Sequence, residues 1–115
     1  MTMRYDFIVH QGVDFARGFV FRDCGGKVDL TGYKAAMQVR QNKRAKEAVD
    51  TLTTENGRLK IDVANSKIDL VIPHDVTATY PATKLIYDLL IKSSDGYVYR
   101  VLQGLISVDR GVTRV

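Results

Sequence analysis

At 115 residues the chain is long enough for one domain with a single two-layer core and too short for two. With 45% hydrophobic and 26% charged residues it has the composition of an ordinary folded domain and not of a disordered tail, and no apolar run approaches the ~20 residues a membrane helix needs. The net charge of +4 permits an acidic partner without demanding nucleic acid, and the lone cysteine, Cys24, excludes an internal disulfide, so the fold must stand on its core.

The N-terminal stretch Met1–Asp6 lacks the apolar segment of a signal peptide, so export by that route is not expected, and the cysteine usage suits a reducing cytoplasm. Tyr5, Phe7 and Val9 alternate with Asp6, Ile8 and His10, the two-residue period of a strand. After a break at Gln11–Asp14 a second strand is expected over Phe15–Arg22, with Gly18 as a bulge or a point of close approach. Asp23-Cys24-Gly25-Gly26 supplies the residues of a tight hairpin. Asp29-Leu30-Thr31-Gly32 then reads as a turn, followed by strict alternation in which Tyr33, Ala35, Met37 and Val39 face the core and Lys34, Gln38 and Arg40 face away.

Gln41–Lys46 is polar and basic, a loop. A short strand is expected over Ala48–Thr53, and Asn56-Gly57 is the strongest short-range hairpin signal in the chain. Leu59, Ile61 and Val63 form the inward face of the next strand; beyond a turn at Ala64–Lys67, Ile68, Leu70 and Ile72 form another, closed by Pro73. His74–Thr83 has room for one short helical turn. Lys84–Lys92 is the most apolar strand, with Ile86, Asp88 and Leu90 opposite Leu85, Tyr87, Leu89 and Ile91, and is expected at the centre of a sheet, covered on both faces. Ser93–Gly96 is a hairpin loop, Tyr97–Val108 the last strand, bent at Gly104, and Asp109–Val115 a polar tail. Turn signals at roughly 8–12-residue spacing, with almost no helix, define a single all-β domain spanning residues 1–115, a sandwich or barrel of about seven to nine strands.

No pattern announces catalysis. His10 and His74 lie far apart, Cys24 has no Cys-x-x-Cys partner, and neither a nucleophile elbow nor a phosphate-cradling glycine loop is present, so no catalytic residue and no metal ligand is assigned. Two groups are candidate partner contacts. Arg40, Lys43, Arg44 and Lys46 concentrate four cations in seven residues, able to meet phosphates or an acidic protein surface, or to be a solvated loop. The stacking aromatics that nucleic-acid modules interleave with such charge are missing, so nucleic acid is not the expected partner. Tyr97 and Tyr99 share one strand face after a hairpin loop, either as a protein-contact patch or as a cap on the core. The N-terminal strand is a lightly guarded edge, suited to pairing with a neighbouring copy.

Taken in order, Ile8–Phe15, Phe19–Gly32, Met37–Arg40, Gly57-Arg58-Leu59, Ile86–Leu89, Gly104 and Val112-Thr113-Arg114 resemble a family of small tailed-bacteriophage virion proteins and, more distantly, the N-terminal domain of phage baseplate upper proteins. The resemblance implies an immunoglobulin-like antiparallel β-sandwich acting as a non-enzymatic, multicopy structural component of the virion, made in the cytoplasm of the host bacterium, without cofactor. Its implied partners are other phage structural proteins of the tail, baseplate, neck or capsid, and no membrane. A tail or baseplate adaptor or fibre-attachment subunit is the first expectation and capsid decoration the second. A nucleic-acid-binding module using the basic loop and a carbohydrate-binding sandwich using Tyr97 and Tyr99 are further alternatives.

Overall fold

The computed structural model describes residues 2–112 except Cys24, with Asp23 described by its backbone. The expectations that fall on Cys24 and on the closing residues 113 and 114 lie outside the described residues. The strands in chain order are β1 (Met3–Arg4), β2 (Phe7–His10), β3 (Phe15–Val20), β4 (Arg22–Asp23), β5 (Gly26–Lys27), β6 (Lys34–Arg40), β7 (Asp50–Thr53), β8 (Leu59–Asp62), β9 (Lys67–Ile72), β10 (Lys84–Lys92) and β11 (Val98–Asp109), with one helical turn, α1 (His74–Thr77). They form a larger sheet in the order β1-β11-β10-β6-β7, with β2 also on β11, and a smaller sheet, β3-β9-β8; β4 and β5 make a separate hairpin. This is an all-β sandwich, the class that the turn spacing implies.

The alternation of the sequence becomes the division between core and surface. In β6, Ala35, Met37 and Val39 are buried and their neighbours are not; in β10, Leu85, Tyr87, Leu89 and Ile91 are buried. Leu52, Leu59, Ile68, Ile72 and Ile106, from both sheets, are fully enclosed with them, and each such side chain stabilises the fold by roughly 1.5–3 kcal/mol. Positive φ at Gly32, Gly57 and Gly96 confirms the turns read from Thr31-Gly32, Asn56-Gly57 and Asp95-Gly96.

Four expectations are corrected or narrowed. The larger sheet is not purely antiparallel: β1 and β2 run parallel to β11, pairing Met3 with Leu102 and Phe7 with Ile106. The irregularity in the last strand lies not at Gly104, which pairs in register with Tyr87, but opposite Leu89/Leu90, where Leu102 pairs with Leu89 and Arg100 with Leu90. Gly104 instead lets β1 hand over to β2, since a Cβ there would lie 2.1 Å from the Tyr5 carbonyl oxygen and 2.7 Å from Asp6 Oδ1. Gly18 sits in an unbroken ladder rather than a bulge, and it is a point of close approach, because the Lys67–Asp69 ion pair arches over it. Val63 falls beyond the end of β8 and is exposed, so the inward face of that strand ends at Ile61.

Polar groups tie the ends of the sandwich together. Ser66, at φ 52°, donates through Oγ to the Val28 carbonyl at 2.6 Å, while its own carbonyl accepts from the Phe21 amide at 2.8 Å. Asp14, from the β2–β3 loop, caps α1 by accepting from the His74 amide at 2.6 Å, a role Pro73 at the cap position has no side chain to fill. Between the sheets, Asp50 Oδ2 accepts from Arg58 Nη2 and from the Tyr80 hydroxyl, each at 2.5 Å. Burial, followed by the hydrogen bond to Asp50, raises Tyr80 far above the ordinary tyrosine value, so it remains a neutral donor.

Candidate functional site

The outer face of the larger sheet is where exposed side chains converge. β10 is central, between β11 and β6, yet no described residue covers its outer side: Ile86, Asp88 and Leu90 are only half-buried there. The expectation that both faces of this strand are covered is therefore wrong for one of them. The strand reads as doubly apolar because its outer residues floor a shallow recess of about 530 Å³ instead of packing under another layer.

Strand register builds the recess. Asp88 stands opposite Gln103 on β11 and Gln38 on β6, and Gln103 in turn stands opposite Arg4 on β1. A polar row, Arg4–Gln103–Asp88–Gln38, thus crosses four strands. On one side of it Leu90 faces Ala36 and Arg100; on the other Ile86 faces Arg40 and Leu105. Lys43 reaches the same recess from the β6–β7 loop. That loop is folded back by Arg40, which donates through Nη1 to the Ala45 carbonyl at 2.9 Å and through Nη2 to Gln38 Oε1 at 2.7 Å.

The recess therefore holds four cations and one carboxylate over an apolar floor. Arg100 Nε lies 3.3 Å from Asp88 Oδ2 and Arg4 Nη2 lies 3.5 Å from Asp6 Oδ1; both arginines are more than half exposed. Exposed pairs of this kind contribute about 1 kcal/mol at most, so an incoming carboxylate can take either guanidinium without a large loss. Lys43 has no ion-pair partner among the described residues. Beneath the recess, Tyr87 donates to the Tyr5 carbonyl; burial, then the nearby Asp6 and Tyr5, push its ionisation well above the ordinary tyrosine range.

The six residues singled out in the sequence separate. Arg40 and Lys43 enter the recess. Arg44 and Lys46 are exposed and outside it, with the Arg44 amide held by Asn42 Oδ1. Tyr99 lines a second, apolar recess of about 250 Å³ with Met3, Tyr33, Ile91 and Val101. Tyr97 is 64% exposed at the hairpin, its amide bonded to Ser93 Oγ, and lines neither of these two recesses. Arg4, Arg100, Asp88 and Gln103 went unrecognised because only the parallel pairing of β1 and the slip in β11 bring them together. The signal available was Asp88 between Ile86 and Leu90, a charge on an otherwise apolar face.

The fold and its open sheet face define a β-sandwich with a basic recess. No family model matches the chain, and no curated protein matches it. Among solved structures it is similar to CopC from Methylosinus trichosporium OB3b, at 12% identity and a TM-score of 0.42, over 70% of this chain and 67% of that one. The expectation of a structural component of a tailed-phage particle, whether in tail, baseplate or capsid, is corrected here. The structural likeness found, to CopC, gives no support to a tail, baseplate or capsid role or to the alternatives beside it. At this identity and TM-score the likeness assigns no function. Among the described residues no group of three or more His, Cys, Asp or Glu converges as a metal-ligand set.

Proposed function

We propose that this chain is a non-catalytic recognition domain that seats an acidic protein segment on the outer face of its larger sheet. The observation that carries this reading is the recess itself: Arg4, Arg40, Lys43 and Arg100 around Ile86, Leu90 and Leu105 on a sheet face that none of the described residues covers. An apolar centre with a charged rim is how protein contacts gain both affinity and orientation. Asp88 at the middle favours a segment with spaced carboxylates and apolar side chains over a continuous polyanion, whose charges it would repel.

The test is calorimetric titration with a peptide in which glutamates alternate with leucines, at low and at physiological salt. Binding should weaken as salt rises, and Lys43→Ala combined with Arg100→Ala should weaken it about tenfold or more, about 1.4 kcal/mol. Affinity that ignores both the salt and the double substitution would overturn the proposal.

A further inference from the structure

We infer that the free edge of the smaller sheet, strand β3, is the surface through which two copies of this chain pair, joining their three-stranded sheets into one. The Phe21 amide donates to the Ser66 carbonyl at 2.8 Å, continuing the β3–β9 register in which Phe15 faces Ile72 and Phe19 faces Ile68. Antiparallel ladders alternate, so Phe15, Arg17 and Phe19 turn their N–H and C=O groups toward β9, while Ala16, Gly18 and Val20 turn theirs outward. None of those three residues makes a hydrogen bond to a side chain or a loop among the described residues.

The other edges are shorter or guarded. On β7 the outward residues are Thr51 and Thr53. Asn56 accepts from the Thr53 amide through Oδ1 at 3.0 Å and donates through Nδ2 to the Thr51 carbonyl at 3.1 Å, and Asp50 Oδ1 takes the Thr51 amide at 2.9 Å. A side-chain cap of this kind blocks a fourth-party strand as charge or proline does elsewhere. On β2, where the sequence suggested pairing, the outward residues are Ile8 and His10, and the His10 carbonyl already accepts from Val13. β8 turns only Leu59 and Ile61 outward. Among the described residues, β3 alone presents three successive outward residues whose backbone groups make no hydrogen bond.

A second copy is the occupant that this edge fits. A two-fold axis at Gly18 sets Ala16 opposite Val20 of the other copy and Gly18 opposite itself, so all three exchange backbone hydrogen bonds, as an isologous contact requires. The outward residues carry no charge and little bulk, so no like charges meet on that line. On the inner side the same register places Arg17 against Phe19 of the other copy. Arg17 already lies 5.4 Å from the Phe15 ring and 5.6 Å from the Tyr5 ring, so the added aromatic extends a cation–π stack.

Sedimentation velocity from about 10 μM to about 1 mM, the range where a weak edge contact saturates, should show the mass of one chain rising toward that of two. Over the same range amide exchange at Ala16, Gly18 and Val20 should slow while that at Thr53 does not change. Ala16→Pro removes an outward N–H without touching the β3–β9 ladder, and Val20→Lys adds an edge charge; each should raise the dimer dissociation constant about tenfold. Val20→Lys carries the test if Ala16→Pro proves unfolded by circular dichroism. A single-chain mass at every concentration overturns the inference. So does a dimer that survives Val20→Lys with its Ala16, Gly18 and Val20 amides unprotected.

Discussion

Replacing Asp50 with alanine strands two buried donors at once. Its carboxylate stands 2.5 Å from Arg58 Nη2 and 2.5 Å from the Tyr80 hydroxyl, and the Asp50 and Arg58 side chains are only 11% and 17% exposed. Removing one partner of a buried ion pair costs ~3–5 kcal/mol, because the remaining charge stays in low dielectric without compensation. Arg58 keeps its Nε hydrogen bond to the Val71 carbonyl and some contact with water, which places the expected loss at the lower end, about 3 kcal/mol. For a domain of this size that corresponds to a fall in melting temperature of about 12 °C or more. Urea unfolding followed by circular dichroism would measure it. Tyr80→Phe should lose only about 1 kcal/mol, since Arg58 still holds the carboxylate, and Asp50→Leu with Arg58→Met should recover most of the Asp50→Ala deficit. A loss below about 1 kcal/mol for Asp50→Ala would refute the reasoning, as it would mean the pair is hydrated rather than buried.

Three further outcomes follow from the geometry. Gly104→Ala forces a methyl against the Tyr5 carbonyl, which is backbone and cannot swing aside, so about 3 kcal/mol should be lost, read in the same unfolding assay. Ser66→Ala leaves the Val28 carbonyl without its donor and should cost about 1–2 kcal/mol, with faster exchange of the Phe21 amide. The Asp14 carboxyl is held below its ordinary 3.8 by the His74 amide first and the His74 ring second. Its contribution is therefore complete above the unfolded-state value and is lost as pH falls through the lower folded-state value. A carboxyl titration by NMR should show Asp14 protonating below its ordinary 3.8 in the folded domain, and Asp14→Ala should remove that part of the acid sensitivity.

Much of the fold was legible because a strand half-covered by core must alternate, and Tyr33–Arg40, Ile68–Ile72 and Leu85–Ile91 each place an apolar residue at every second position on the inner face. Turn chemistry was legible for the same local reason at Gly32, Gly57 and Gly96. What could not be read was pairing partner and direction. Two parallel segments of two and four residues on β11 leave no periodic mark. The register slip at Leu89/Leu90 depends on contacts rather than composition. The recess is a product of both, so the sequence showed Arg40 and Lys43 as a charged run but gave no indication that Arg4, nearly forty residues upstream, and Arg100, sixty downstream, stand beside them. The tyrosine pair straddles a strand end: β11 begins at Val98, so the strand pleat sets the direction of Tyr99 but not that of Tyr97.

The central claim, that the outer sheet face is a receiving surface for an acidic segment, is tested most directly by NMR. Amide and side-chain shifts of the whole domain would be followed while the alternating glutamate–leucine peptide is added. The shifts should concentrate on Arg4, Arg40, Lys43, Leu90, Arg100 and Gln103 and leave Lys60 and Lys67, on the smaller sheet, unmoved. Shifts spread evenly over all surface lysines and arginines, or none at the recess at saturating peptide, would contradict it.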